Sequence, residues 1–320
     1  MNRFTAFLLV LAAGTVTAAA GPVEFGNAEL ERACAGRGLN PRALRIKTEV
    51  AADPPESYRI APGLVTGGDL RGLMYGLLEA ADQIRVSGRL RKAAGAPALA
   101  VRGVRMVVKD PGAEWFQSRE YWPALFRSLA LGRFNRFHLA LTQLNVEADT
   151  LRFITGSAAE FGIDFTLGLW GAEEGQGAGQ MQAALAKVLS ECPSIRGVQV
   201  RMEAETALPA VRAVQDAGRR MTFEAPAEAA QIVAAAASAG VPVRIARAYP
   251  GAVPDGPRTP FYWELSRENW ADPQTVRGTV AKLAATHAAG FELDLPAGPE
   301  GAAAVPALRW GLLGYDPGGR

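Results

Sequence analysis

Residues 196–206 read RGVQVRMEAET, and this stretch decides the fold class. Apolar and polar side chains alternate along it, as they do along a β-strand. The polar positions are Gln199, Arg201, Glu203 and Glu205. Strand and helix patterns alternate through the rest of this region, which predicts a parallel sheet covered on both faces. A polar strand face in such a sheet indicates a barrel with a polar interior, whose chemistry would lie at the C-terminal ends of the strands.

Eight strands can be counted in this region. They are predicted at 101–108, 136–141, 164–169, 196–206, 220–224, 241–246, 259–266 and 291–295. Amphipathic helices are predicted between them, including 118–131, 147–161 and 181–191, with a last helix near 301–311. The fold class is therefore α/β: a small N-terminal α/β domain followed by a compact (β/α)8 barrel. The span from 98 to 320 is short for that barrel, which leaves open that one unit is incomplete.

Three segments divide the chain. Residues 1–20 have the basic start, apolar centre and small-residue end of a signal peptide, so we expect a secreted or periplasmic protein. Residues 21–97 form the N-terminal domain and its linker, and residues 98–320 form the barrel. In the N-terminal domain we expect strands at 22–25 and 43–50, a hairpin at 56–66, and helices at 27–35 and 70–85. Residues 86–97 would be the linker.

Composition excludes several functions. The chain has 320 residues and a net charge of +2, with no basic run that would bind nucleic acid. Its two histidines cannot build a histidine-rich metal centre, and we expect neither a metal nor another cofactor. A site made of carboxylates alone stays open, although no spacing in the sequence is typical of one. Cys34 and Cys192 lie far apart in the sequence and are expected to be two unpaired thiols, although an oxidising compartment would permit a bridge.

Polar residues at alternate positions, which form one face of a strand, recur on several predicted strands. A charge cannot be buried alone without a cost of several kcal/mol, so the charged residues on these faces should pair inside the barrel. They are Arg105, Arg201, Arg244, Glu203, Glu224, Glu292 and Asp294. Such pairs could serve catalysis or structure alone.

Two further stretches resemble known enzymes. Residues 56–85, ESYRIAPGLVTGGDLRGLMYGLLEAADQIR, are similar to the small N-terminal domain of β-hexosaminidases of glycoside hydrolase family 20 and α-glucuronidases of family 67. Residues 119–141, REYWPALFRSLALGRFNRFHLAL, resemble the first barrel helix and second barrel strand of the same enzymes. The resemblance implies a glycoside hydrolase with a catalytic barrel.

The resemblance also suggests a catalytic acid. α-Glucuronidases place this acid in a strand ending Asn-Ser-Glu, and the run Glu203-Ala204-Glu205 aligns Glu205 with it. The adjacent Asp-Glu pair of hexosaminidases is absent from this sequence. Glycoside hydrolysis usually needs a second carboxylate, for which we select Glu224 and Asp294 at the ends of their strands.

Aromatic and basic side chains near the strand ends would bind the sugar. The predicted substrate-binding residues are Lys109, Trp170, Arg201, Glu203, Arg247, Tyr249 and Trp263. The arginines and the lysine suit the carboxylate of a uronic acid. The first hypothesis is an exported glycoside hydrolase acting on polysaccharide-derived oligosaccharides. The alternative is a catalytically degenerate carbohydrate-binding barrel.

Overall fold

The structure is a computed structural model that describes residues 21–142, 144, 146–170, 178–202, 204–251, 259–266, 273–308 and 310–316. The predicted signal peptide lies outside these ranges. Within them, no helix combines the length and apolar character needed to cross a membrane.

A small mixed sheet and two helices form the N-terminal domain. Its elements are α1 (Pro22–Ala35), β1 (Lys47–Val50), β2 (Tyr58–Ala61), β3 (Leu64–Gly67), α2 (Leu70–Ser87) and β4 (Ala93–Gly95), with a 3₁₀ turn at Pro41–Leu44. The strand order is β1-β3-β2-β4. Helix α2 begins as predicted, since the Asp69 carboxylate accepts a hydrogen bond from the Gly72 amide at 2.6 Å.

A closed parallel barrel follows this domain. Its strands are β5 (Val101–Val108), β6 (Arg136–Leu141), β7 (Asp164–Trp170), β8 (Ile195–Arg201), β9 (Thr222–Pro226), β10 (Val243–Ala248), β11 (Phe261–Leu265) and β12 (Gly290–Leu295). The helices are α3 (Glu114–Gln117), α4 (Tyr121–Leu131), α5 (Ala148–Glu160), α6 (Ala178–Glu191), α7 (Ala204–Asp216), α8 (Ala230–Ser238), α9 (Pro273–Ala285), α10 (Pro299–Ala304) and α11 (Trp310–Tyr315). Pairing of β12 with β5 closes the barrel, so the eight-stranded fold is confirmed and complete.

The main apolar core lies between the strands and the surrounding helices. On β6, Phe137, Leu139 and Leu141 point outward and are buried. Trp122 and Phe126 of α4 meet Phe137 with ring centroids 5.9 and 5.3 Å away. Apolar residues therefore take the outer strand face and leave the inner face to polar groups.

Several predicted boundaries are wrong for local reasons. Residues 22–25 are the first turn of α1 and not a strand, because Pro22 suits a helix start and Phe25 joins a helical stripe of buried residues. The predicted strand 43–50 is shorter, since Arg45 adopts a left-handed backbone conformation. The linker 86–97 contains β4. The last helix is split between α10 and α11 around Pro306, which lacks the amide hydrogen that a helix needs.

Glu56 joins the two domains. It is buried, and its carboxylate accepts hydrogen bonds from Arg71 at 2.7 Å, from Asn135 at 2.8 Å and from Arg102. Arg71 also binds Asp164 at the start of β7 at 2.8 Å. We call Glu56, Arg71, Arg102 and Asn135 the junction network. It fixes the N-terminal domain to the N-terminal ends of β5, β6 and β7.

Both thiols are free and buried, as expected. Burial raises the pKa of Cys34 and of Cys192 above the usual value. The cysteines are therefore small core residues.

Candidate active site at the barrel mouth

The barrel interior is polar and charged, as the strand parity predicts. Ion pairs inside it involve Arg105, Arg201, Arg244, Glu224, Glu292 and Asp294. The pairing prediction is confirmed for these six residues. Glu203, which belongs to the same prediction, lies outside the described residues.

Four charged residues form a network at the C-terminal ends of the strands. Arg105 Nη1 lies 2.6 Å from Glu264 Oε1, and Arg105 Nε donates to Asp294 Oδ1 at 2.8 Å. Arg201 binds the same Glu264 oxygen. We call Arg105, Arg201, Glu264 and Asp294 the mouth network. It crosses the lumen, because β8 and β12 stand four positions apart in the ring of eight strands.

Trp170 supports the two arginines of this network. Its ring centroid is 4.9 Å from the guanidinium carbon of Arg105 and 4.5 Å from that of Arg201. Its indole Nε1 donates to Gln199 Oε1 at 3.0 Å. Cation–π contact of this kind stabilises a partly desolvated arginine. The indole thus contacts both arginines of the mouth network and Gln199 below them.

A second cluster lies deeper in the barrel. We call Arg136, His138, Glu224, Tyr262 and Glu292 the central network. Arg136 binds Glu224 and lies 3.2 Å from Glu292 Oε1. His138 Nδ1 lies 2.9 Å from Glu292 Oε2, and the Tyr262 hydroxyl donates to Glu224 at 3.0 Å. All five residues are buried.

Neighbouring charges and burial shift the pKa values of two groups in the central network, Glu292 and Tyr262. Burial alone would raise the pKa of Glu292, but Arg136, His138 and Arg105 outweigh it and hold that pKa well below the usual range. Burial together with Glu224 and Glu292 raises the pKa of Tyr262 far above the usual value. Glu292 is therefore an anion and Tyr262 a neutral donor at ordinary pH.

Gly168 leaves room for the His138 ring. A Cβ at Gly168 would stand 2.2 Å from His138 Nε2 and 3.0 Å from the Cα of Ala140. His138 Nε2 is buried and has no hydrogen-bond partner among the described residues. Glu292 Oε2 therefore engages Nδ1, and Nε2 is the ring nitrogen that faces Gly168.

An open cleft of about 630 Å³ adjoins the mouth beside β8 and β9. Its walls are Arg201, Met202, Pro226, Glu228 and residues 229–232. That volume is within the range of small-molecule sites in proteins. The Arg201 side chain is 27% exposed, and its Nη1 donates to no described residue. The cleft therefore opens beside Arg201, which also belongs to the mouth network.

Three of the predicted site residues lie together at the mouth: Trp170, Arg201 and Asp294. Glu224 does not lie with them, contrary to its selection at a strand end. Strand β9 runs two residues further than expected, so Glu224 falls in its middle and is buried against Arg136.

Three other predicted substrate residues point away from the lumen. The Trp263 ring is buried on the outer face of β11, with its indole donating to Thr286 at 3.1 Å. Tyr249 packs against Trp263, and the Arg247 guanidinium lies 5.7 Å from the ring centroid of the outward-facing Phe261. These three residues therefore lie apart from the mouth network, and their part in sugar binding stays a prediction. Lys109 is exposed directly after β5, at the rim.

Strand β8 is shorter than the alternation suggested. It ends at Arg201, and α7 begins at Ala204. Glu205 therefore belongs to the first turn of α7 and not to the strand, and its side chain lies outside the described part of the structure. Its position after β8 still places its backbone at the C-terminal end of the barrel.

Glu264 and Arg136 are interior charges that the sequence analysis missed. The alternation of Phe261, Trp263 and Leu265 with two polar residues carried the signal for Glu264. Arg136 stands first in its strand, where a basic residue also suits solvent. Within the described ranges, no group of three histidine, cysteine or acidic residues suits a metal ion.

No family model and no curated protein matches this sequence. Solved structures share its fold. One is a GH138 enzyme targeting pectin rhamnogalacturonan II, with a TM-score of 0.72 and 15% identity over 96% of this chain and 63% of that chain. Another is a family GH115 4-O-methyl-α-glucuronidase with specificity for decorated arabinogalactans, with a TM-score of 0.62 and 12% identity over 93% of this chain and 55% of that one. This chain therefore spans less than two thirds of either neighbour, and at these identities the likeness is one of fold.

Proposed function

We propose that this protein is a glycoside hydrolase that binds acidic oligosaccharides at the barrel mouth. The observation that carries the proposal is Arg201, a half-buried guanidinium with one uncommitted nitrogen among the described residues, in the wall of a 630 Å³ cleft. A guanidinium binds a carboxylate by paired, charge-assisted hydrogen bonds. The fold neighbours, both from glycoside hydrolase families and one an α-glucuronidase, support a uronic acid as the ligand.

Asp294 is the best candidate for the second carboxylate. Its side chain is 36% exposed, whereas those of Glu224, Glu264 and Glu292 are at most 9% exposed. Arg105 Nε donates to Asp294 Oδ1 at 2.8 Å and holds this carboxylate at the mouth, where we assign it the role of base or nucleophile.

Glu205 remains the proposed acid. It follows β8, and Asp294 is on β12, so the two positions flank the mouth from opposite sides of the ring. Carboxylates separated by a substrate and a water, roughly 6.5–9.5 Å apart, hydrolyse with inversion at the anomeric carbon. In this proposal Glu205 protonates the leaving oxygen, and Asp294 activates the water.

The test is product release from a panel of uronic-acid and neutral oligosaccharides. Glu205→Gln and Asp294→Asn should each reduce turnover by roughly 10²-fold or more, the usual contribution of a general acid or base. Glu228→Gln is a matched control, because Glu228 lines the same cleft and has no assigned catalytic role. Full turnover in both site variants would overturn the assignment.

A carbohydrate-binding barrel without catalysis is the second candidate. The observation that favours it is that Glu224, Glu264, Glu292 and Asp294 are all engaged by arginine. It requires saturable binding of the same uronic acids without turnover, and binding that weakens in Arg201→Gln.

We also propose that the protein is exported and loses residues 1–20, on the strength of the signal-peptide pattern. N-terminal sequencing of the protein from the cell that makes it should begin near Gly21. A retained Met1 would refute removal of the segment.

A further inference from the structure

Glu264 is a carboxylate of the mouth network that has no role in the proposed reaction. It faces the lumen from β11, level with Ala248 of β10 on one side and with Glu292 of β12 on the other. Its side chain is only 9% exposed. Arg105 and Arg201, which reach it from β5 and β8, fix its position at the base of the mouth.

The two oxygens of the Glu264 carboxylate have different surroundings. Oε1 accepts a hydrogen bond from Arg201, and it lies 2.6 Å from Arg105 Nη1 and 3.5 Å from Gln199 Nε2. Oε2 accepts no hydrogen bond from the described residues, and it is not one of the buried atoms that lack a partner. Oε2 therefore carries part of the exposed surface of this side chain and can accept a hydrogen bond from a molecule in the mouth.

Short side chains leave the lumen open on the same side of the mouth. Ala248 is level with Glu264 on the neighbouring strand, faces the same way and is exposed. Pro226 of β9 is half-buried and also lines the 630 Å³ cleft. Trp170 occupies the opposite side, since β7 and β11 stand four positions apart in the ring of eight strands. A ligand in the mouth is therefore placed over β10 and β11, where it meets Glu264.

The chemistry of Oε2 selects the ligand group that can bind there. A carboxylate anion offers only acceptors, so its partner must be a hydrogen-bond donor. The hydroxyl groups of a sugar ring are such donors. A hydrogen bond from a hydroxyl group to a charged acceptor is also stronger than one between two neutral groups.

We propose that Glu264 is a specificity-determining residue of the mouth, whose Oε2 accepts a hydrogen bond from one ring hydroxyl group of the bound uronic acid. This inference rests on the proposed function for its ligand, and it adds a requirement for a free hydroxyl group at one ring carbon. Because the arginines hold Oε1, the carboxylate is in position before the ligand binds. Such an acceptor loses little conformational freedom on binding.

The test compares the methyl glycoside of glucuronic acid with its three analogues that carry fluorine in place of the hydroxyl group at C2, C3 or C4. Isothermal titration calorimetry gives the Kd of each. Fluorine is close in size to a hydroxyl group but cannot donate a hydrogen bond. One of the three analogues should therefore bind the wild type roughly 10-fold or more weakly than the parent glycoside, which corresponds to the loss of a hydrogen bond to a charged group.

Glu264→Gln should reduce that difference to roughly threefold or less. The donors that hold Oε1 should keep the amide oxygen in its place, which turns the amide nitrogen, a donor, toward the ligand. Glu292→Gln is the matched control, because Glu292 is level with Glu264 on the next strand but is fully buried. It should keep the difference seen in the wild type, and the melting temperatures of both variants establish that they fold.

Calorimetry measures binding without turnover, so its outcome is separate from that of the product-release test. Equal affinities of the wild type for all four glycosides, or the same loss in the wild type and in Glu264→Gln, would overturn the role of Glu264 and leave the proposed hydrolase intact. Absence of binding by all four would refute the proposed ligand and this inference together.

A crystal structure of the wild type with the parent glycoside gives an independent test that needs no variant. A ring hydroxyl oxygen within hydrogen-bond distance of Glu264 Oε2 would support the role. A bound sugar that leaves Oε2 to water would overturn it.

Discussion

The junction network and the mouth network use the same residue types in opposite ways. Glu56 is sealed, and three donor side chains saturate its carboxylate while the Tyr315 hydroxyl binds its backbone oxygen at 2.6 Å. In the mouth network, Asp294 and Arg201 keep 36% and 27% of their side chains exposed. A saturated buried cluster fixes geometry, whereas a cluster with open ends can exchange partners with a ligand. Burial of charged residues alone therefore does not indicate a ligand site. A charged network that keeps exposed side chains does.

The largest expected effect belongs to the sealed network. Glu56→Gln leaves the buried guanidinium of Arg102 without its anionic partner, and breaking one side of a buried pair costs about 3–5 kcal/mol. The free energy of unfolding from urea titration measures this. Asp53→Asn is the control, because Asp53 pairs with the 63% exposed Arg59 and should lose no more than about 1 kcal/mol. Equal losses in the two variants would remove the distinction between the networks.

A substitution at an exposed end of the mouth network should weaken ligand binding more than it lowers stability. Arg201→Gln removes a charged donor from the cleft wall, and hydrogen bonds to charged groups contribute about 1.5–3 kcal/mol. The KM or Kd for a uronic-acid oligosaccharide should rise roughly 10- to 100-fold, with a small change in melting temperature.

Arg105→Gln provides the contrast inside the same network. Arg105 is only 7% exposed and holds both Glu264 and Asp294, so its loss should lower the melting temperature strongly. Burial would lower the pKa of Arg105, but these carboxylates and Glu292 raise it, so the guanidinium stays charged. Similar melting temperatures for the Arg105 and Arg201 variants would contradict an open-ended mouth network.

A smaller loss is expected where the central network meets Gly168. Gly168→Ala would force His138 away from a Cβ that stands 2.2 Å from Nε2, and overpacking of this kind costs about 1–3 kcal/mol. Gly156→Ala is the matched control, since Gly156 is on α5 and a Cβ there meets no atom within 4 Å. That control should be neutral or stabilise by up to about 1 kcal/mol. Urea unfolding of both variants compares the two sites.

The barrel could be predicted from the sequence because apolar residues alternate with polar ones along its strands and form the outer face of each. Strands β5 and β6 were predicted with the observed bounds, since Val104 and Met106, like Phe137 and Leu139, alternate with polar residues. Strand ends were harder to predict. In the sequence, residues 202–205 continue the alternation of β8, yet helix α7 begins at Ala204, because tertiary context outweighs a four-residue pattern.

The site was predicted less well than the fold, because periodicity gives the face of a strand but not the depth along the barrel. Glu224 and Asp294 have the same parity, but one is buried in the middle of its strand and the other lies at the mouth. Trp263 shows the converse problem: an aromatic residue near a strand end suits a sugar platform, yet it has the parity of the outer face. Depth depends on the stagger of neighbouring strands, which no single strand encodes.

The smallest expected effect is the response of Glu292 to acid. Its pKa in the folded protein lies below the value of about 4.3 for a free glutamate, so its contribution to stability is complete above that value and is lost as the pH falls below it. The free energy of unfolding of the wild type should therefore decline below about pH 4. Glu292→Gln lacks this titration, and its decline should be shallower by up to about 1.4 kcal/mol per pH unit. Urea titrations from pH 6 to pH 3 measure both slopes, and parallel curves would mean that Glu292 keeps its ordinary proton affinity inside the barrel.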